Sequence, residues 1–124
     1  MRKLVAAKAI KNIKVLLGDQ SDPKLPASQV DAILIALTYH EFGDVVEMLS
    51  KLRAALKPRG RLLIFESISA KLRKHSQMAQ AKEHEISLDR VEAELRAAGF
   101  TILETVDPLW PDTETSRYLI AARR

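Results

Sequence analysis

The chain contains no cysteine, and only three of its 124 residues are histidine. The absence of cysteine excludes a disulfide scaffold, a thiolate nucleophile and a cysteine metal site. The histidines, His40, His75 and His84, do not have the H-x-x-x-H or H-E-x-x-H spacing with which one helix face binds a metal ion. The sequence therefore predicts no metal site.

Long apolar runs are absent as well. No stretch approaches the roughly 20 apolar residues of a membrane-spanning helix, and Lys8 and Lys11 fall where a signal peptide would be apolar. We therefore predict a cytoplasmic protein without a membrane partner. The net charge is only +4, and no Phe, Tyr or Trp lies among the basic residues between Lys71 and Lys82. We accordingly predict no nucleic-acid partner.

Glycine is scarce. The four glycines are each accounted for by a predicted turn or helix end, so they cannot form a glycine-rich loop that cradles a nucleoside. What the chain does have is an ordinary globular composition, 47% hydrophobic and 29% charged at 13.9 kDa. This predicts one domain, residues 1–124.

The apolar pattern predicts alternating helices and strands. Residues 30–38 are apolar on both faces, which is typical of a strand in a parallel sheet, and residues 43–56 repeat apolar positions at helical spacing. Residues 67–85 suit either an exposed helix or an ordered loop. The full prediction is helices at 2–12, 43–56 and 87–98, and strands at 13–17, 30–38, 61–66, 100–106 and 117–122, with the last two forming an antiparallel hairpin.

Four ordered motifs resemble one family. They are the strand and polar cluster from Val30 to Phe42, the bend and strand Leu56-Lys-Pro-Arg-Gly-Arg-Leu-Leu-Ile-Phe-Glu66, the passage Leu95-Arg-Ala-Ala-Gly-Phe100 and the strand Tyr118-Leu-Ile-Ala-Ala122. Together they resemble the second half of a class I S-adenosylmethionine-dependent methyltransferase. The resemblance implies a truncated α/β fold, a three-layer Rossmann-like sandwich with a mostly parallel sheet and a C-terminal antiparallel hairpin. The family's first two strands, with their glycine-rich cofactor loop, have no counterpart here.

The same resemblance implies where the cofactor, S-adenosylmethionine, would lie. Asp19 resembles the acid that binds the adenine amino group, although an Asp in Gly-Asp-Gln-Ser is also typical of a turn. The positions expected on the cofactor side are Gly18, Asp19, Gln20, Ala36, Leu37 and Thr38.

The resemblance also implies that the acceptor site begins at Tyr39, His40 and Glu41, which we expect to be catalytic. His40 beside Glu41 suits a general base, because imidazole titrates near neutral pH; the alternative is that Tyr39 and His40 only end a strand. Glu66 could contact the substrate, but a capping or surface role is favoured. His84, between two glutamates, is expected at a solvated helix end.

Two functions remain open on this sequence. The first is methyl transfer from S-adenosylmethionine to a small-molecule acceptor, and the second is a non-catalytic interaction subunit. Because strand 30–38 lacks the neighbour that it has in the full fold, its edge would be exposed and apolar. We therefore expect a homodimer, or a complementing protein chain, at the edge of residues 30–38.

Overall fold

The computed structural model describes Lys3, Val5, Lys8 and residues 11–110 and 115–124. In chain order the elements are β1 (Val30–Ala36), a 3-10 helix (Tyr39–Glu41), α1 (Val45–Ala55), β2 (Leu56–Ser69), a second 3-10 helix (Leu72–Lys74), α2 (Gln77–Lys82), α3 (Leu88–Ala97), β3 (Thr101–Val106) and β4 (Thr115–Arg123). Among these described residues, no helix is long and apolar enough to cross a membrane.

The strands form one mixed sheet in the order β1-β2-β4-β3. β1 runs parallel to β2, whereas β4 runs antiparallel to both β2 and β3. Three strands therefore share one direction, and the fourth is inserted against them as the second arm of the C-terminal hairpin. The predicted fold class is confirmed. In the described part of the chain, β1 has one hydrogen-bonded neighbour and forms an edge of the sheet.

The predicted strand at residues 13–17 is wrong. These residues have no regular secondary structure, and Ile13 and Leu17 are 48% and 78% exposed. An apolar run favours a strand only when a neighbouring strand satisfies its backbone groups, and no described strand pairs with this one. The predicted helix at 2–12 lies mostly outside the described residues.

The ends of α1 and α3 follow their local sequences. Asp44 caps α1, because its side chain accepts a hydrogen bond from the Glu47 backbone N–H at 2.9 Å. Gly99 follows α3 with φ +83°, a backbone conformation that glycine adopts without steric cost. Both helices were predicted from the sequence to within two residues of these bounds.

Alternate residues of β2 divide the sheet into two faces. One face, shared with β4, is buried under α1 and α3, and its buried apolar members include Leu62, Ile64, Ile68, Tyr118 and Ile120. The opposite face carries half-buried side chains, and there the ring of Trp110 meets Phe65 edge to face at 5.9 Å. The described helices thus form the layer on one side of the sheet.

Within the segment 67–85, residues 67–69 continue β2, and the rest contains two short helices that a buried glutamine ties together. The Gln80 side-chain amide donates to the carbonyls of Leu72 and His75 at 3.0 and 3.2 Å. Its oxygen accepts from the Ser87 backbone N–H at 3.1 Å. These three bonds tie the segment to Ser87 at the start of α3, and His84 lies between α2 and α3.

Candidate active site

β1 ends at Ala36, and two residues separate it from the 3-10 helix Tyr39–Glu41. Leu37 donates its backbone N–H to the Phe65 carbonyl at 2.8 Å and takes a positive φ of 52°. A leucine in this conformation is uncommon, and such residues cluster at functional sites. After this residue, Tyr39 and His40 contact Glu66 inside β2, so the polar cluster lies beside the neighbouring strand.

Glu66 organises this cluster from within the sheet. Its side chain is fully buried, and Oε1 accepts a hydrogen bond from the Tyr39 backbone N–H at 2.7 Å. Because that N–H begins the 3-10 helix, Glu66 caps the helix from a neighbouring strand. The capping role considered from the sequence is therefore present, and the surface role is wrong. No local signal indicates this contact, because 27 residues separate the partners.

His40 is held by the same carboxylate. Its Nδ1 atom lies 3.1 Å from Oε2 and 3.2 Å from Oε1 of Glu66. A carboxylate only accepts hydrogen bonds, so the imidazole must carry its proton on Nδ1. In the neutral ring this leaves a lone pair on Nε2, which lies 3.3 Å from Glu41 Oε1. Only 12% of the His40 side chain is exposed, so its orientation is restricted.

Tyr39 anchors the 3-10 helix rather than facing solvent. The residue is fully buried, and its hydroxyl donates to Glu94 Oε2 on α3 at 2.9 Å. Burial, reinforced by the charge of Glu94, raises the pKa of Tyr39 well above its usual value. Tyr39 is therefore a neutral hydrogen-bond donor at physiological pH, and we expect it to position His40.

Glu41 also contacts His84, a residue that the sequence pattern did not place in this cluster. The Nδ1 atom of His84 lies 2.7 Å from Glu41 Oε1, and the rings of His40 and His84 meet at 5.9 Å between centroids. The His84 side chain is 71% exposed, as expected at a solvated helix end. Its proximity to His40 was missed because 43 residues separate it from Glu41.

Residues 18–24 form a tight turn next to this cluster. Asp19 Oδ1 accepts from the Ser21 backbone N–H at 3.1 Å, and Oδ2 pairs with Lys24 Nζ at 3.1 Å. The Lys24 contact, more than any other, lowers the pKa of Asp19. A Cβ on Gly18 would meet the Asp22 carbonyl at 2.8 Å, so the turn requires glycine there. This is the turn alternative considered for Asp19, and the adenine role stays a prediction.

One of the cofactor-side residues, Gln20, contacts the segment that follows the 3-10 helix. The Gln20 carbonyl accepts from the Gly43 backbone N–H at 3.4 Å, which places the Gly18–Gln20 turn beside the residues that follow the 3-10 helix. Ala36 ends β1, and Leu37 is 45% exposed. Leu37 thus offers an exposed apolar side chain and Asp19 an exposed carboxylate, and their contact with a nucleoside stays a prediction.

A small cleft opens beside His40, on the side of α1 and α2. Its volume is about 170 Å³, below the roughly 300 Å³ of a typical ligand pocket. The charged groups on its wall are Glu85 and Arg90, and the other lining residues are Tyr39, His40, Phe42, Val45, Ala81 and Ile86. The cleft therefore admits a small group next to the imidazole.

Comparisons with known proteins agree with the fold. A family model described as an O-methyltransferase domain matches residues 1–106. The chain superposes on a SAM-dependent methyltransferase from Aquifex aeolicus with a TM-score of 0.76 and 22% identity, covering 98% of this chain and 60% of that one. A second S-adenosylmethionine-dependent methyltransferase, from Mesorhizobium loti, matches with a TM-score of 0.73 and 16% identity over 99% of this chain and 76% of its own.

A third similar structure was solved with ligands. It is the Burkholderia thailandensis 1,6-didemethyltoxoflavin-N1-methyltransferase with bound 1,6-didemethyltoxoflavin and S-adenosylhomocysteine, at a TM-score of 0.71 and 19% identity, covering 99% of this chain and 56% of that one. No curated protein sequence matches the chain. The chain spans about three fifths of the length of the Aquifex structure. Because the family model covers most of its residues, the chain belongs to the O-methyltransferase domain family of class I S-adenosylmethionine-dependent methyltransferases.

Proposed function

We propose that the protein takes part in S-adenosylmethionine-dependent O-methylation of a small-molecule hydroxyl group, with His40 as the general base. The observation that carries the proposal is the contact between the buried Glu66 carboxylate and His40 Nδ1. It fixes the tautomer that leaves Nε2 able to accept a proton. The match to an O-methyltransferase domain supports an oxygen atom as the acceptor.

In this mechanism the described residues handle the proton of the acceptor. When bound, the cofactor would supply an electrophilic methyl group from its sulfonium and would be left as neutral S-adenosylhomocysteine. As the acceptor oxygen forms its bond to carbon, its proton passes to His40 Nε2, and the imidazole becomes positively charged. Glu66 then lies opposite that charge at 3.1 Å, in a buried position where electrostatic stabilisation is strong. Tyr39 keeps the 3-10 helix in place through Glu94.

The cofactor side is proposed on the family resemblance and on position. Gly18, Asp19, Gln20, Ala36, Leu37 and Thr38 would contact the adenine and sulfonium ends of S-adenosylmethionine. The Asp19 carboxylate already pairs with Lys24, but it is 55% exposed and has further acceptor positions for the ligand. Part of the nucleoside site would then come from residues other than these. A cytoplasmic location stays a prediction from the sequence.

The outer edge of β1, which pairs with no other strand in the described part of the chain, supports a proposal about partners. A second copy of the chain, or a complementing chain, would pair with this edge and supply the hydrogen bonds that it lacks on one side. Leu34, which is 65% exposed at the middle of β1, would be covered in such an assembly. The competing hypothesis, an interaction subunit without catalysis, places a partner at the same edge. It differs in predicting that the chain does not bind the cofactor.

Calorimetric titration with S-adenosylhomocysteine separates these hypotheses. Saturable binding by the purified protein supports the transferase, and we expect Asp19→Asn to weaken it while Asp31→Asn, an exposed carboxylate change on β1, leaves it unchanged. Absence of binding at millimolar ligand, both alone and with a complementing chain, would favour the interaction subunit. Transfer of labelled methyl to a panel of phenols and alcohols then tests the acceptor class.

A further inference from the structure

Three possible metal ligands converge beside the proposed base. His40 Nε2 lies 3.3 Å from Glu41 Oε1, and His84 Nδ1 lies 2.7 Å from the same oxygen. The three ligand atoms of His40, Glu41 and His84 all lie within 4.8 Å of one another. We propose that these three side chains form a binding site for a divalent transition-metal ion of the zinc class.

The two distances to Glu41 are close to those that such an ion requires, and the two imidazole nitrogens lie within 4.8 Å of each other. Zinc binds imidazole nitrogen and carboxylate oxygen at about 2.0–2.2 Å, so two ligand atoms on a tetrahedral ion are about 3.3 Å apart. The pair His40 and Glu41 already has this separation. The pair His84 and Glu41 must open by about half an ångström, and the 71% exposed side chain of His84 is free to do so.

Glu66 supplies an independent argument. Histidines that bind metals through one ring nitrogen usually donate the other N–H to a carboxylate, which fixes the tautomer and makes the ligand more basic. His40 has this arrangement, because Glu66 lies at Nδ1 and leaves Nε2 facing Glu41 and His84. The least exposed ligand is therefore already oriented for a metal ion before one binds.

The donor set indicates the class of ion. Magnesium and calcium prefer oxygen ligands, whereas two imidazoles with one carboxylate are typical of zinc and related ions such as cobalt. Two His and one Glu also match a known catalytic zinc set, in which water or substrate takes the fourth position. Both Glu41 and His84 are more than half exposed, so the fourth position would be open to solvent.

The site goes beyond the proposed function and does not depend on it. His40 Nε2 cannot hold a metal ion and accept a proton at the same time. Bound zinc would therefore suppress base catalysis by His40, and a chelator would restore it. Metal binding can be measured in the absence of methyl transfer, so failure of one proposal does not imply failure of the other.

The test is calorimetric titration of the chelator-treated protein with zinc chloride, and with cobalt chloride followed by visible absorption. We expect about one ion per chain and a tetrahedral cobalt spectrum. His84→Ala and Glu41→Gln, both at exposed positions, should weaken binding by at least about tenfold. His75→Ala and Glu83→Gln, which change exposed residues of the same types outside the cluster, should bind zinc as the unchanged protein does.

Histidine nitrogen NMR supplies a second measurement on the same samples. Zinc should shift Nε2 of His40 and Nδ1 of His84, while the ring of His75 should not respond. The proposal is overturned if no stoichiometric binding occurs at millimolar zinc. It is equally overturned if the His84→Ala and Glu41→Gln variants bind zinc normally. The same holds if the control variants His75→Ala and Glu83→Gln weaken zinc binding as much as His84→Ala and Glu41→Gln. Circular dichroism confirms that each variant is folded.

Discussion

The imidazole of His40 and the carboxylate of Glu66 lie 3.1 Å apart, although 26 residues separate them in the sequence. One partner follows the end of β1 and the other lies inside β2, and the parallel pairing of these strands brings them together. Glu66 is fully buried, and within the described structure no buried side-chain polar atom lacks a hydrogen-bond partner. The contact is therefore part of the core and of the candidate site at once.

The first prediction concerns the base. His40→Asn keeps a side-chain N–H near Glu66 but removes the basic nitrogen, so we expect kcat for O-methylation to fall by about 10²–10⁴-fold with little change in KM. Labelled methyl transfer measures the rate. His75→Asn, at an exposed histidine outside the cluster, is the matched control. Full activity of His40→Asn would show that alignment alone, without a base, drives the reaction.

The second prediction concerns the buried carboxylate. Glu66→Ala removes the acceptor for the Tyr39 backbone N–H and leaves a cavity, so we expect the free energy of unfolding to fall by about 2–4 kcal/mol. Glu66→Gln, which retains an acceptor oxygen, should lower the free energy of unfolding by less. Urea unfolding gives these values, with the exposed Glu104→Ala as control. Equal stability of the Ala and Gln variants would argue against the capping contact.

The third prediction concerns Tyr118, whose hydroxyl donates to the Ile86 carbonyl at 2.9 Å. Tyr118→Phe leaves that buried carbonyl unpaired, so we expect the free energy of unfolding at pH 7 to fall by about 1–2 kcal/mol. Urea unfolding checks the value. A phenylalanine variant as stable as the unchanged protein would mean that water replaces the hydroxyl.

The same tyrosine predicts a pH dependence with a definite sign. Burial is the main cause that raises the pKa of Tyr118, and the nearby charges of Glu66 and Asp107 add to it while Arg73 opposes them. The folded state then keeps the proton that the unfolded state releases near pH 10. The stability from Tyr118 is therefore complete below pH 10 and is lost above it, by about 1.4 kcal/mol per pH unit.

The Tyr118→Phe variant separates the contribution of Tyr118 to this pH dependence from the contributions of other groups. Between pH 8 and roughly 11, the free energy of unfolding should fall with pH more steeply in the unchanged protein than in Tyr118→Phe. The reason is that only the unchanged protein has a Tyr118 proton to release on unfolding. Identical slopes would mean that Tyr118 titrates normally in the fold, in conflict with its full burial.

The last prediction concerns the β1 edge. We expect the protein to sediment as a dimer, or to bind a complementing chain, and Leu34→Lys to abolish the association, because a charge in an edge strand opposes pairing. Val46→Lys is the matched control, since Val46 is 79% exposed on α1. Analytical ultracentrifugation at micromolar concentration measures the mass. The proposal is contradicted if the unchanged protein and both variants sediment as monomers and bind no other chain.

Local patterns were sufficient for most of the elements. The strand before His40, the helix capped by Asp44 and the helix ended by Gly99 follow from apolar spacing and from capping residues, which act within a few positions of the chain. Residues 13–17 show where this fails, because the same apolar spacing does not form a strand there without a partner.

The sequence by itself determined the family, the α/β class and the position of His40 at the end of β1. Only the tertiary structure decided that Glu66 is buried behind His40, that Tyr39 is tied to Glu94, and that His84 meets Glu41. The reason is physical. Helix and strand periods depend on neighbours a few residues apart, whereas these contacts depend on strand pairing and helix packing that join residues 26 to 55 positions apart.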